Sequence, residues 1–329
     1  MAIFRCSKCG HVREVGSDYI GKSVKCPKCE NVATIHDTVA FLNALIKKHI
    51  TQTKELHKLR KELSQENPEP ETVEHFTFED IDIHNTNLFT QANSFTPIIE
   101  WFGKKNIQAQ VDPYAVDTTG FFDEIALLLG NNFSVLSSVS NQIKYIQNKG
   151  YTNVKIEISK KSQKEIEQIT SFCQVLYDYS FVAKYHYQKK DEIIRLTLQT
   201  APKIRNFFNG IWMEWFALME LLEFFYEKKL NPACARSIDI SFSEGDSNEL
   251  DIFFLTENGI PICVECKTGE FRHDIDKYSS LRKKLKMEKD QFVICVFGLS
   301  QEQAQGMSSM YELTFVNENT LINHMRTVI

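Results

Sequence analysis

Glu249-Leu250-Asp251-Ile252-Phe253-Phe254-Leu255 is followed by Thr256-Glu257-Asn258-Gly259 and then by Pro261-Ile262-Cys263-Val264-Glu265-Cys266-Lys267-Thr268-Gly269. Two apolar runs around an Asn-Gly turn predict a β-hairpin. Side chains two apart in a strand share a face, so Glu265 and Lys267 point one way while Val264 and Cys266 point the other. Hairpin pairing puts Asp251, near the start of the first strand, close to the far end of the second. Two acids and a lysine then meet at one edge of an otherwise apolar hairpin. Exposed Glu-x-Lys pairs are usually simple salt bridges. The apolar setting argues against that here.

Upstream, Phe207–Glu227 has helical periodicity. Ile211, Trp215, Leu218, Leu221, Leu222 and Phe225 share one face, and Glu220, Glu223 and Glu227 take the opposite one. Glu214 falls inside the apolar stripe. A carboxylate turned toward a core costs several kcal/mol unless it is paired. Either a cation site or a partnering Lys or Arg resolves that cost. Downstream, the pattern predicts a basic helix over Asp276–Lys289, a strand over Gln291–Gly298, a helix near 301–312, a strand over Leu313–Asn317 and a terminal helix. Lys277, Arg282, Lys283, Lys284 and Lys286 lie on the basic helix. They either line a groove for backbone phosphates or form the solvated face opposite Leu281 and Leu285.

Glu214, Asp251 and Glu265-Cys266-Lys267, in an α-β-β-β-α-β order, resemble the core of PD-(D/E)xK nucleases, in the form with a helix glutamate and an E-x-K strand. The phrase Asn209-Gly210-Ile211-Trp212-Met213-Glu214 is similar to the nuclease half of CRISPR-ancillary effectors that carry a cyclic-oligoadenylate sensor (CARF) domain. The resemblance covers roughly residues 200–329. Leu250 stands where the family's motif name has proline. The resemblance implies an α/β fold with a mixed central sheet flanked by helices. It also implies phosphodiester hydrolysis with Mg2+ or Mn2+. Asp251, Glu265 and the Cys266 backbone carbonyl would hold that metal, with Glu214 completing the shell. Lys267 would position the nucleophile or offset charge in the transition state. The implied substrate is nucleic acid, DNA by family base rate and RNA as the alternative, in prokaryotic defence against invading DNA. Family members often work as homodimers.

Upstream of this region, Cys6 and Cys9 form one C-x2-C pair and Cys26 and Cys29 a second, with 16 residues between the pairs. That spacing predicts a four-cysteine zinc ribbon at 1–36. The zinc is either a scaffold for a mini-domain too small for its own core, or the base of a nucleic-acid or protein contact. Residues 1–30 hold six Lys/Arg against three Asp/Glu, too small an excess to argue DNA binding alone. A helix is expected at 37–66, with Asp37 as N-cap and leucines (Leu42, Leu45, Leu56, Leu59, Leu63) that suit self-packing or a short coiled coil. An acidic linker at 67–83 follows. Residues 84–200 read as a small α/β or α+β domain, with helices at Phe95–Lys105, Gly120–Gly130 and Lys164–Tyr179 and strands at Asn153–Ser159 and Glu192–Gln199. They show no phosphate loop, no nucleophile elbow and no legible sensor domain. The nuclease-like region occupies 201–329.

The chain has 329 residues, a net charge of −5, 43% hydrophobic and 25% charged residues. Those proportions exclude a disordered or fibrous chain. With no secretory signal or 18-residue apolar run, the expected setting is the cytoplasm without a membrane partner. Nine cysteines there suit metal ligation or burial better than disulfides. Two further functional readings stand beside a nuclease active on its own. One is an effector silent until a ligand or protein engages 84–200. The other is a non-catalytic zinc-ribbon nucleic-acid adaptor.

Overall fold

The computed structural model of the chain describes residues 2–6, 8–9, 11–38, 95–116 and 120–329, and divides into two compact units, Met1–His75 and Phe76–Ile329. The expected helix beyond Thr38 and the acidic linker lie outside the described residues. Asp37, expected as a helix cap, is the last residue of a strand.

In the first unit, β1 (Ala2–Arg5), β2 (Val12–Val15), β3 (Ser23–Lys25) and β4 (Val32–Asp37) form an antiparallel sheet in the order β2-β1-β4-β3. Its buried set is Ala2, Phe4, Cys6, Cys26 and Ile35. Five such side chains beneath the four strands offset little of their chain entropy, and an ion at the cysteine cluster would add to them.

The second unit is mixed α/β. In chain order it runs α1 (Thr96–Gly103), β5 (Ile107–Val111), α2 (Phe122–Asn131), α3 (Phe133–Asn148), β6 (Asn153–Glu157), α4 (Gln163–Asp178), β7 (Val182–Gln188), β8 (Ile193–Leu198) and α5 (Pro202–Asn206). A π-turn at Phe207–Ile211 leads into α6 (Trp212–Glu227), β9 (Ala233–Phe242), β10 (Ser247–Leu255), β11 (Pro261–Lys267), α7 (Ile275–Leu285), β12 (Phe292–Val296), α8 (Gln301–Met310), β13 (Thr314–Val316) and α9 (Leu321–Val328). Six strands make the main sheet, in the order β13-β12-β11-β10-β9-β5. β11, β12 and β13 are parallel and the other neighbours antiparallel. A smaller antiparallel sheet, β6-β8-β7, packs with α3 and α4.

β5, expected in a separate domain at 84–200, pairs with β9 and forms the edge of the main sheet. A single hydrophobic cluster runs from Phe95 through Val154 and Ile194 to Met325. The expected boundary at residue 200 is therefore crossed by both backbone pairing and side-chain packing.

Successive residues of β10 show how the main sheet is covered. Phe254 packs on Phe225 of α6, with centroids 5.0 Å apart. Phe253 packs on Trp101 and Phe102 of α1, at 5.2 and 4.9 Å. α6 and α1 thus take opposite faces. α6 is buried on more sides than its sequence stripe predicts: Met213, Phe216, Met219 and Phe224 are buried along with the expected residues. α2 covers its outer side, approaching where Gly130 has no side chain. A Cβ there would meet the Phe216 ring at 2.1 Å.

The basic helix ends earlier than expected, at Leu285, because Lys286 takes the left-handed conformation (φ +52°) and turns the chain toward β12.

Candidate active site and metal centre

The hairpin forms, with Ile252 opposite Val264 and Leu255 opposite Pro261, and the Thr256 N–H donates to the Ile260 carbonyl to close its loop. Asp251, one residue beyond, takes part in neither the β11 nor the β9 pairing. Its partners are side chains and side-chain-directed amides. The Asp251 N–H donates to Glu265 Oε1 at 3.3 Å, and Asp251 Oδ2 accepts the Cys266 N–H at 2.7 Å. Across β9, Ser237 stands at φ +53°, a left-handed conformation that costs roughly 1–3 kcal/mol for a non-glycine residue. The sheet is therefore interrupted on both sides of Asp251.

Lys267 follows on the same strand face as Glu265. Its Nζ lies 3.2 Å from Asp251 Oδ2 and 3.4 Å from Glu265 Oε2, and 5.5 Å from the Tyr278 ring centroid on α7. Burial works against the lysine's charge, but Asp251 and Glu265 outweigh it and raise its pKa. Glu265 has only 2% of its side chain exposed. Burial first, and the charge of Asp251 second, push its carboxyl up to about 8.

Glu214 stands in the first turn of α6, where the helix dipole favours an acid. A cation does resolve its placement, and that cation is Arg236 of β9. Arg236 Nη1 donates to Glu214 Oε2 at 2.8 Å, its Nε donates to the Ala115 carbonyl at 2.6 Å, and its guanidinium lies 4.4 Å from the Trp215 ring centroid. Burial, then the charge of Asp251, still raise Glu214 to about 7.

Glu214, Asp251, Cys266 and Lys267 line one cleft of about 320 Å³, together with Asn206, Asn209, Gly210, Ile211 and Met213. Glu265 does not line the cleft; it touches Asp251 and Lys267, which do. Hydrogen bonds to Glu214 fall on Oε2 and those to Asp251 on Oδ2. Oε1 of Glu214 and Oδ1 of Asp251 have no donor among the described residues. Both oxygens of Glu265 are engaged. Burial and mutual repulsion keep Glu214 and Glu265 from ionising readily, and a cation at the open carboxylate oxygens would favour their charged forms. Hard oxygen donors of this kind suit a divalent cation such as Mg2+ or Mn2+.

The five basic residues expected near this site do not line the cleft. Arg282 is largely buried, with Nη1 donating to the Met287 carbonyl at 2.8 Å, so it finishes its own helix. Lys284 is ion-paired with Asp246, and Lys277 and Lys284 border a separate cavity with Asp246, Ser247 and Asn248. Lys277, Lys283 and Lys286 are exposed.

In the first unit the Sγ atoms of Cys6, Cys9, Cys26 and Cys29 all lie within 4.8 Å of one another. The Cys6–Cys29 and Cys9–Cys26 separations are 3.4 and 3.6 Å. A tetrahedron with zinc–sulfur bonds of about 2.3 Å has edges of about 3.8 Å, so the four sulfurs could hold such an ion. The two knuckles repeat one geometry: the Cys6 and Cys26 N–H groups donate to the carbonyls of His11 and Asn31, each at 2.8 Å. The Cys9 backbone N–H is foremost in holding the Cys6 thiol down at about 6, whereas burial and the neighbouring sulfurs push Cys29 up to about 12.

Arg236, Asn206 and Asn209 were not singled out by the sequence reading as site residues. Arg236 had a signal, as the one basic residue in the largely apolar strand Ala233–Phe242. Asn209 had one as the first residue of the Asn209–Glu214 phrase, though no role was given to it, whereas Asn206 had none, since an exposed amide near a turn is ordinary. No described helix is long and apolar enough to cross a membrane.

No family model matches the sequence, and no curated protein does. Two solved structures are similar to this chain. Protein VC1899 from Vibrio cholerae is 14% identical over 70% of this chain and 60% of its own, with a TM-score of 0.48. Can2 from Sulfobacillus thermosulfidooxidans, solved in complex with cyclic tetra-adenylate, is 16% identical over 70% of this chain and 59% of its own, with a TM-score of 0.50. The chain thus spans about 60% of the length of each. At such identity the likeness to Can2 is one of fold.

Proposed function

We propose that the chain is a Mg2+- or Mn2+-dependent nuclease of the PD-(D/E)xK type that hydrolyses phosphodiester bonds, most readily those of DNA. The observation that carries this reading is Asp251. It is excluded from both neighbouring ladders and held beside Lys267, with one carboxylate oxygen left without a protein donor and Glu214 across the same cleft. A divalent ion supplies a polarised phosphate and a water of lowered pKa. Asp251 and Glu214 would hold it, joined by the Cys266 backbone carbonyl and, when Lys267 turns toward substrate, by Glu265. Glu265 meanwhile orients the Asp251 backbone and holds the ammonium of Lys267 at the cleft. Lys267 brings positive charge to the position where negative charge grows on the phosphate oxygens.

The region 201–329 supplies these groups, supported at its sheet edge by β5. The four-cysteine unit at 1–36 would be a structural zinc ribbon. In a wider setting, the similarity to CARF-linked effectors and the shared fold with Can2, which binds cyclic tetra-adenylate, support a role in antiviral or anti-plasmid defence. Of the basic-helix residues, Lys277, Lys283 and Lys286 are exposed and would be available to the substrate backbone. A homodimer fits a reaction on two strands.

Incubation of supercoiled plasmid with the pure protein and Mn2+ is expected to give nicked or linear DNA, and EDTA to stop the reaction. Cutting that starts only once cyclic tetra-adenylate or a protein partner is added would select the ligand-gated form. Binding of DNA without cutting in every such mixture would select the adaptor and end the nuclease reading.

A further inference from the structure

We propose that Asn206 and Asn209 form the substrate-reading wall of the cleft, and that their amides hydrogen-bond the nucleotide beside the phosphate to be cut and set which bases are accepted there. This rests on the nuclease reading and extends it from chemistry to specificity.

The cleft has two unlike sides. Glu214, Asp251 and Lys267 carry its charge, while Asn206, Asn209, Gly210, Ile211 and Met213 are neutral. The charged side suits a metal and a phosphate. Neutral amides offer a donor and an acceptor together, the complement of a base edge rather than of a phosphate.

The neutral side is also built to stay in place. It spans the kink at Phe207–Ile211 that joins α5, whose last residue is Asn206, to α6. Phe207 and Phe208 fix it from below, both fully buried, with Phe207 packed edge-on to Phe181 at 5.3 Å and tilted against Phe122 at 5.5 Å. Lys144 of α3 ties it from the side, donating to the Asn209 carbonyl at 2.9 Å. Gly210 permits it, with φ 158° and ψ −26° inside the turn. A Cβ there would meet only Met213 Cε, at 3.6 Å, so glycine serves the backbone conformation and not a lack of space. Asn206 and Asn209 are exposed at the rim of this anchored turn, and their amides have no hydrogen-bond partner among the described residues. An anchored backbone places both amides at the cleft, and no hydrogen bond to a described residue has to be broken before they bind a ligand.

The experiment uses the full chain, Asn206→Ala, Asn209→Ala and the double variant, with degenerate oligonucleotides and Mn2+ and sequencing of the new ends. The unaltered chain is expected to show a base bias at the nucleotides flanking the cut. Each single variant is expected to flatten that bias and raise KM by about 5- to 100-fold, the range of one lost base contact. kcat should change by less than about twofold, as for a contact made equally in the ground and transition states. Mn2+ affinity by calorimetry should not change. An unchanged bias and KM in the double variant overturns the proposal, as does a loss of Mn2+ affinity that accounts for the whole defect. Absence of Mn2+-dependent cutting by the unaltered chain is instead the failure of the nuclease reading. Fluorescence anisotropy of the same oligonucleotides in Ca2+ then decides: weaker binding by the double variant supports the reading wall, and equal binding overturns it.

Discussion

Glu265 is hydrogen-bonded by the backbone N–H of Asp251 at 3.3 Å, at a point where Asp251 has left the ladders on both its sides. A buried side chain has replaced a sheet partner. The Glu265 carboxyl lies against Asp251 and Lys267 and is raised to about 8, by burial first. Such a group binds a proton in the folded protein over a pH range in which the unfolded chain has lost it. The unfolded state then binds fewer protons, so stability falls as pH rises from about 4.5 toward 8. Glu265→Gln removes that liability. The variant is expected to melt several degrees higher than the unaltered chain at about pH 8.5 and at nearly the same temperature at about pH 5.5, while losing at least about 100-fold in cleavage. Equal melting temperatures at the higher pH would remove the electrostatic account of this residue.

Metal binding should show the opposite dependence. A cation that takes Glu214 and Asp251 competes with the proton on Glu214, which is raised to about 7, and drives Glu265 toward its ionised form. The rise in Tm produced by a fixed concentration of Mn2+ is therefore expected to be small at about pH 6 and to grow through about pH 8. Differential scanning fluorimetry of the unaltered chain and of Asp251→Asn reads this directly. The variant should lose most of the shift at both pH values, and a shift independent of pH would place the ion elsewhere.

Much of this site is legible in sequence because its parts depend on short periods. The hairpin follows from period-two alternation around Asn-Gly, and the facing of Glu265 and Lys267 from the same rule. Glu214 stands out because a carboxylate interrupts an apolar helical stripe. What escapes is non-local. β5 joins β9 across more than a hundred residues of chain, and nothing within Ile107–Val111 names its partner, so a domain boundary is read where the sheet is continuous. α6 looks one-sided because periodicity reports only the richest face, whereas α2 and α9 also pack against it. The basic cluster misleads for a related reason: charge is visible in sequence, but the Met287 carbonyl and Asp246 that occupy Arg282 and Lys284 are not.

Arg236 is the largest of these omissions, and it carries a stability prediction. With 8% of its side chain exposed it satisfies Glu214 and the Ala115 carbonyl together. Arg236→Met takes the Arg236 donor from the Ala115 carbonyl and leaves Glu214 with only the long contact from Ser237 Oγ at 3.5 Å. Removing one partner of a buried pair costs about 3–5 kcal/mol, so a large fall in the urea midpoint is expected. Arg236→Met with Glu214→Leu removes both charges and should recover most of that loss, without restoring cleavage. A double variant as unstable as the single one would mean that the Trp215 stack and the Ala115 tether, and not the ion pair, hold the region together.

The cysteine cluster can be tested apart from the cleft because the two compact units have separate cores. With five buried side chains beneath its sheet among the described residues, two of them cysteines of the cluster, the strands of the first unit should not hold without an ion at the four sulfurs. Metal analysis is expected to find one zinc per chain that resists mild EDTA, and a stronger zinc chelator is expected to remove it. In the chelated protein, backbone hydrogen exchange should rise throughout Ala2–Asp37 and stay slow in β10, β11 and α6. Cys26→Ser should reproduce that pattern without chelator, since it removes one sulfur and leaves the second unit untouched. Protection of β1 and β4 that survives loss of the metal would show that Phe4, Ile35 and their neighbours suffice, and would leave the ion with a role other than folding.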